Sequence, residues 1–277
     1  MIQSVQTFFE ASAELQFEDS DESCRKGTPD WIRFEEAMNN TFEIVSEISQ
    51  HCLNINDKNN NTENCSIVSK MLEIGFEINQ ILALVQDLII AAADTTSYST
   101  LWSIHLLALH DDVQEKAQKE VLNFSKNDKF LARNFRYLRW CNKESMRLFP
   151  VAPFLTRILD KPIELTEEWN ENILKKDQLI LISTYSMARS SDHFDNPDTF
   201  CPERWKTQRN SFASLPFGHG ARKCIGMNLA ENQMMYFLVK LLENFRIKSE
   251  NVDAVDYRMK LIGMPDNPIR ISISKQR

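Results

Sequence analysis

Glycine is scarce in this chain, with six among 277 residues, about 2% against the ~7% usual in globular proteins. That shortage excludes a turn-rich sandwich or barrel and favours helix. Paired cysteines are missing too. Cys24, Cys52, Cys65, Cys141, Cys201 and Cys224 stand at long, irregular gaps with no C-x-x-C. The spacing excludes a zinc ribbon or a disulfide scaffold and predicts free thiols in a reducing compartment. Basic charge is not in excess. A net charge of −7 excludes a general nucleic-acid binder, which needs a basic surface to neutralise phosphates. Any basic patch must be local. The opening "MIQSVQTFFEASAEL" has neither a leader pattern nor a twenty-residue apolar span. It reads as the inside of a domain, with Ile2, Val5, Phe8 and Phe9 on one helical face. The expectation is that an upstream portion precedes it.

What remains is 43% apolar and 26% charged, enough for a full core. "WIRFEEAMNNTFEIVSEISQHC" sets Phe34, Met38, Val45, Ile48 and Cys52 near one face at helical spacing. The Asn-rich "NINDKNNNTEN" predicts an exposed loop, and its two glycosylation sequons, at Asn60 and Asn64, are read as chance. A long apolar run from about Ile67 to Leu109 predicts a buried helix, too interrupted by polar groups to be a membrane span. Asp111 and Asp112 are expected to cap a polar helix after it. "NFRYLRWCNKESMRLFP" predicts a helix stopped by Pro150. "FLTRIL", "LILIST" and the terminal "IRISIS" read as strands, and "EEWNEN" as a loop. "IGMNLAENQMMYFLVKLLENF" predicts an amphipathic helix with Ala230, Met234, Leu238, Leu241 and Phe245 inward.

Three of the six glycines, Gly218, Gly220 and Gly226, crowd into "PFGHGARKCIG" around Cys224. Glycines let a backbone fold tightly and approach something flat or bulky. A helix begins just after the cysteine, and Arg222 and Lys223 precede it, so the local field favours a negatively charged sulfur. A cysteine serving only as a small core hydrophobe needs none of this.

The pattern F-G-x-G-x-R-x-C-x-G is complete at Phe217, Gly218, Gly220, Arg222, Cys224 and Gly226. Here the chain resembles the haem-thiolate cytochromes P450. The resemblance implies haem b (iron protoporphyrin IX) with Cys224 as its metal ligand, a thiolate that donates electron density to the iron. It implies that Arg222 pairs with a haem propionate, that Arg157 helps to hold one, and that Phe217 and Gly218 pack beside the sulfur. "KESMRLFP" places Glu144 and Arg147 three apart on one helix, which alone would be an ordinary surface pair. The resemblance makes it the family's E-x-x-R motif, with Arg204 of "CPERW" completing a buried triad. Asp94, Thr95 and Thr96 of "AAADTTS" are polar groups in an apolar helix. A helical threonine can simply bond back to the backbone. The family pattern [AG]-G-x-[DE]-T-[TS] implies instead that Thr95 positions water and Asp94 leads to a proton source. Ala92 departs from that pattern, standing where it has glycine. The implied substrate pocket includes Ala91, Val151, Ala152 and Phe154, although the last three would serve a core equally well.

By this resemblance the fold class is mainly α, the C-terminal part of the cytochrome P450 fold with a long central helix and minor β-sheets. The chain would be one incomplete domain over residues 1–277. Residues 1–66 give roof helices and a loop, and 67–150 the central buried helix and the E-x-x-R helix. Residues 151–215 give minor strands and an irregular segment, and 216–277 the cysteine loop, a helix and terminal strands. The implied activity is insertion of one atom of O2 into an apolar, steroid-like substrate. Arg139 and Lys143, four apart on the E-x-x-R helix, match basic residues that receive an acidic ferredoxin in the mitochondrial branch. "VAPFLTRIL" and "FDNPDTFCPERW" look similar to that branch too, most of all to arthropod ecdysteroid hydroxylases. Met227 and Asn228 depart from it, where basic residues are usual. The alternative is an endoplasmic-reticulum member fed by an NADPH-dependent flavoprotein reductase. Either would be membrane-associated through an N-terminal part not in this sequence. Two rivals remain: a haem-thiolate isomerase or dehydratase that needs no O2, and a truncated, non-catalytic product unable to bind haem alone.

Overall fold

A computed structural model of the chain describes residues 1–15, 26–58, 67–124, 132–165, 173–207 and 210–276. Helix dominates it, and the strands form four small antiparallel pairs. The residues group into two compact units, Met1–Ser97 and Tyr98–Arg277.

In the first unit α1 (Ile2–Leu15) packs on α2 (Pro29–Lys58). Thr28 starts α2 by accepting the Trp31 N–H on its hydroxyl at 3.2 Å, and Pro29 takes the first helical position. The buried seam of α2 is Ala37, Thr41, Val45 and Ser49, spaced four apart. These residues are small, so α1 can approach closely. Of the face expected from apolar spacing, Val45 is buried but Ile48 is exposed. The ring of Phe34 meets that of Phe8 at 5.3 Å. Helix α2 continues through Lys58, so Asn54–Lys58 is helical rather than loop. Neither glycine nor proline interrupts it after Pro29. The rest of that Asn-rich stretch, with both sequons, lies outside the described residues. A short α3 (Ile67–Glu73) ends on Gly75, whose φ of +95° suits a left-handed helix terminus.

Helix α4 (Ile78–Leu109) is the long apolar run. Among the described residues it alone is long and apolar enough to cross a membrane. Its burial is uneven. Ala83, Leu84, Ala91 and Ala92 are exposed, whereas Trp102, Ser103, Leu106 and Leu107 are buried, and Ser103 Oγ donates to Asn142 Oδ1 at 2.8 Å. The expectation of a buried helix therefore holds for its second half.

In the second unit α5 (Asp111–Leu122), α6 (Arg136–Leu148) and α8 (Met227–Asn244) surround a core that includes Leu107, Ala117, Leu138, Leu238 and Leu242. The N-cap of α5 is His110, not an aspartate. Asp111 and Asp112 occupy its first turn, where carboxylates favour the helix dipole, and Asp111 pairs with Arg246 at 3.2 Å. The cap of α6 comes from another helix. Glu120 of α5 accepts the Tyr137 and Leu138 N–H groups at 2.8 and 3.0 Å. Helix α6 ends just before Pro150, as expected. The buried stripe of α8 is Met234, Met235, Leu238, Val239 and Leu242, while Leu241 and Phe245 are only half-buried.

Strand β1 (Phe154–Ile158) pairs with β4 (Leu179–Ser183), Phe154 opposite Ser183. β2 (Ile163–Glu164) pairs with β3 (Ile173–Leu174), and the "EEWNEN" loop between them lies outside the described residues. Thr184 leaves β4 to begin the one-turn α7 (Thr184–Met187). β5 (Phe245–Ser249) pairs with β8 (Ile271–Lys275), and β6 (Tyr257–Met259) with β7 (Gly263–Pro265). Gln114 of α5 ties β5 to the helices. Its amide accepts the Ile247 N–H at 3.0 Å and donates to the Ile247 carbonyl at 2.8 Å. Gly263 is required by space, since a Cβ there would lie 2.0 Å from the Tyr257 hydroxyl oxygen.

Candidate active site

Helix α6 presents Glu144 and Arg147 inward, and neither side chain has any exposure. Glu144 Oε1 accepts from Arg147 Nη2 and Arg204 Nε, both at 2.8 Å, and from the Cys201 N–H at 3.1 Å. Its Oε2 accepts from Arg147 Nε at 2.9 Å. Two guanidiniums around one carboxylate leave an excess positive charge, which backbone carbonyls absorb. Arg147 donates to the carbonyls of Ala188 and Pro197 at 2.7 and 2.6 Å. Arg204 donates to those of Asp195, Asn196 and Thr199 at 2.8, 3.2 and 3.1 Å. The Phe194 ring lies under both guanidiniums, 4.8 Å from Arg147 and 5.8 Å from Arg204. The structure thus brings together the three residues that the sequence set 3 and 57 positions apart. Sequence reasoning missed Phe194. Its only signal was an isolated aromatic in the polar stretch "SSDHFDNPDTF".

The glycine-rich stretch forms a loop that turns back on itself. Gly218 and Gly220 have φ of +71° and +75°, the left-handed region that glycine enters without strain. The Gly218 N–H donates to the Leu215 carbonyl at 3.0 Å, Lys223 N–H to Gly220 at 3.0 Å, and Cys224 N–H to Phe217 at 2.9 Å. Helix α8 begins three residues after Cys224. The thiol is free and exposed. Beside it Ile225 is 89% exposed and, in the next turn, Leu229 is 61% exposed. A Cβ built on Gly218 would touch Leu155 of β1 at 4.0 Å, so that strand runs beside the loop. Phe154 on β1 is largely exposed, and Arg157 is half-buried, donating to its neighbour Thr156's carbonyl at 2.7 Å. Among the described residues neither Arg157 nor Arg222 has a carboxylate partner. Val151 is buried and its carbonyl accepts the Gly263 N–H at 2.8 Å, while Ala152 is exposed.

These features suit a flat apolar ring that carries a metal at its centre and anions at its edge. The soft sulfur is open, its neighbours are bare aliphatics, and the arginines nearby lack acids. Among the described residues no cluster of three or more His, Cys, Asp or Glu could hold a metal without such a ring.

Ala91, Asp94, Thr95 and Thr96 belong to the first unit. Thr95 Oγ1 donates to the Ala91 carbonyl at 2.6 Å, the back-bond available to any helical threonine. Burial pushes the Asp94 carboxyl above its ordinary value.

Arg139 and Lys143 of α6 face an open cavity of about 340 Å³ whose other wall includes Trp205, Phe217, Gly218 and Lys223. The helix pair is therefore adjacent to the cysteine loop. Lys143 Nζ sits 3.9 Å from the centre of the Trp205 ring. Burial, and after it the charge of Arg139, push the Lys143 ammonium below the ordinary lysine value.

Comparison with known proteins places these motifs in a family. The profile of the family "Cytochrome P450" matches residues 19–273. The chain is 29% identical over 88% of its length to "Cytochrome P450 315a1, mitochondrial" of Drosophila melanogaster, covering 46% of that protein. It is 30% identical over 90% of its length to "Cholesterol side-chain cleavage enzyme, mitochondrial" of Oncorhynchus mykiss, covering 49% of it. To "1,25-dihydroxyvitamin D(3) 24-hydroxylase, mitochondrial" of Mus musculus it is 34% identical over 70% of its length, covering 38%. The chain thus spans less than half the length of each of these curated relatives. With the profile matching nearly end to end, the chain belongs to the cytochrome P450 monooxygenase family.

Proposed function

We propose that this chain carries the haem-thiolate centre of a monooxygenase that inserts one atom of O2 into an apolar, steroid-like substrate. The observation that carries the reading is the open sulfur of Cys224, held by a glycine-turned loop amid bare aliphatic side chains. The helices and small sheets are read as the C-terminal part of the family's fold.

Cys224 would be the thiolate ligand, with Arg222 and Arg157 pairing with the propionates. The haem, when bound, supplies the redox-active iron at which dioxygen is activated for insertion into a C–H bond. The chain's own residues have three tasks. The loop hydrogen bonds from Cys224 to Phe217 and from Lys223 to Gly220 fix where the sulfur points. The Glu144–Arg147–Arg204 network holds the segment 188–204 against α6. Asp94, whose raised value lets it keep a proton longer than a free surface carboxyl, would pass that proton towards Thr95. The Thr95 oxygen would accept it while releasing its own hydrogen, which it now donates to the Ala91 carbonyl, towards a bound water, so the hydroxyl must turn away from Ala91. Phe154 and Ala152 offer exposed apolar surface for a substrate that lacks charge.

The names of the relatives, one acting on cholesterol and one on a vitamin D compound, support a sterol-sized substrate. All three are mitochondrial, which supports that organelle and an acidic ferredoxin as electron donor at Arg139 and Lys143. Titrating the chain with haem and recording the reduced carbon-monoxide spectrum tests the centre. The wild type should take up haem and show the strongly red-shifted Soret band of a thiolate complex. Cys224→Ser should lose that band. Equal spectra for the two would end the proposal.

A further inference from the structure

We propose that Trp205 is a positioning residue for the electron-donor interface, its indole face pinning Lys143 beside the cysteine loop so that an acidic partner meets a fixed cation. This rests on the reading of Arg139 and Lys143 as the docking pair. Lysine has a flexible four-carbon stem, and its rotamer entropy opposes ordering on binding. That ordering is already in place in this chain. The Lys143 ammonium lies over the Trp205 ring at 3.9 Å, well inside the distance at which a cation is attracted to an aromatic face.

The ring itself is fixed from behind. Trp205 stands next to Arg204 in the 3-10 turn Pro202–Lys206. Its ring meets Phe194 edge-on at 6.1 Å and 64°, and Phe194 in turn lies under Arg147 and Arg204. Two cation-over-ring contacts and one edge-on contact therefore link a buried cation, two rings and a second cation from the carboxylate out to the cavity: Arg147, Phe194, Trp205, Lys143. The Trp205 Nε1 atom is buried and has no hydrogen-bond partner among the described residues. What the ring offers the site is its face, on which Lys143 sits, and tryptophan has the most attractive face for a cation. Arg139 on the same helix is exposed, and no aromatic ring among the described residues lies under it. The two docking cations are thus unlike: one exposed with no ring beneath it, suited to long-range attraction, and one placed.

Two measurements on the full chain test this, with thermal melting as the check that each variant folds. In proton NMR the Lys143 ε-methylene signals should be shifted upfield by the ring, less so in Trp205→Phe, and not at all in Trp205→Leu. The drop from Trp to Phe decides the point even where the Leu variant does not fold. In binding of an acidic two-iron ferredoxin at low salt, Trp205→Leu and Lys143→Gln should each weaken affinity about fivefold. The double variant should be no weaker than Lys143→Gln alone. Independent, multiplying losses in the double variant, or an upfield shift that survives in Trp205→Phe undiminished, would overturn the proposal. Wild-type chain that shows the ring shift but binds no ferredoxin at any salt overturns the docking reading, and the positioning role of Trp205 falls with it.

Discussion

The network at Glu144 and the loop at Cys224 belong to the same unit and contrast in nearly every physical respect. Around Glu144 the carboxylate and the Arg147 guanidinium are wholly buried, Arg204 nearly so, and every carboxylate oxygen has a partner. Around Cys224 the sulfur is open, Ile225 and Leu229 beside it are bare, and the backbone enters conformations that only glycine adopts easily. The first region is finished by its own chain. The second is shaped for something the chain does not supply. On the proposed reading the family's signature has a part that holds the fold and a part that would hold the haem, and only the first should respond strongly when stability is measured.

The largest effect should come from Glu144→Ala. It strands two guanidiniums, and breaking a buried ion pair costs about 3–5 kcal/mol. Thermal melting should show a chain that is unfolded or nearly so, and a melting temperature close to wild type would erase the contrast. Gly218→Ala should cost less, about 1–2 kcal/mol, because a left-handed residue then carries a Cβ. The new methyl would meet only Leu155, at 4.0 Å, so strain rather than collision sets the loss. Cys224→Ser should leave the ligand-free unfolding free energy within about 0.5 kcal/mol of wild type, as for other exposed positions. A large loss there would mean the loop also holds the fold.

A pH-dependent effect is expected at Asp94, half-buried on α4. Its folded value lies above the ordinary 3.8, so its contribution to stability is complete below that pH and is lost as pH rises through the raised value. Asp94→Asn, neutral throughout, should gain on wild type as pH climbs from about 4 and then level off. Denaturant midpoints over a pH series would show this, and parallel curves for the two proteins would contradict it.

Much of this was readable in one dimension because it depends on neighbours along the chain. Pro150 ends α6, the β-like run "FLTRIL" holds β1, and the signature around Cys224 is contiguous. What stayed hidden depends on partners far away. On α8 Met234 and Leu238 are inward as expected, but Met235, Val239 and Leu242 join them rather than Leu241 and Phe245, because which face is buried depends on where the other helices stand. Glu120 caps a helix other than its own. Carbonyls that complete the arginine network belong to the backbone and leave no trace in residue identity. The pairing of Lys143 with Trp205 spans 62 positions and joins residue types that sit side by side in many sequences without touching.

Gln114 has a consequence of its own. A strand edge with free N–H and C=O groups invites another chain to add to it, the usual beginning of edge-to-edge aggregation. The Gln114 amide imitates a neighbouring peptide unit and occupies both groups of Ile247. The β5–β8 ribbon is thereby closed at that point by a helix, and an incoming strand would find its central docking position already taken.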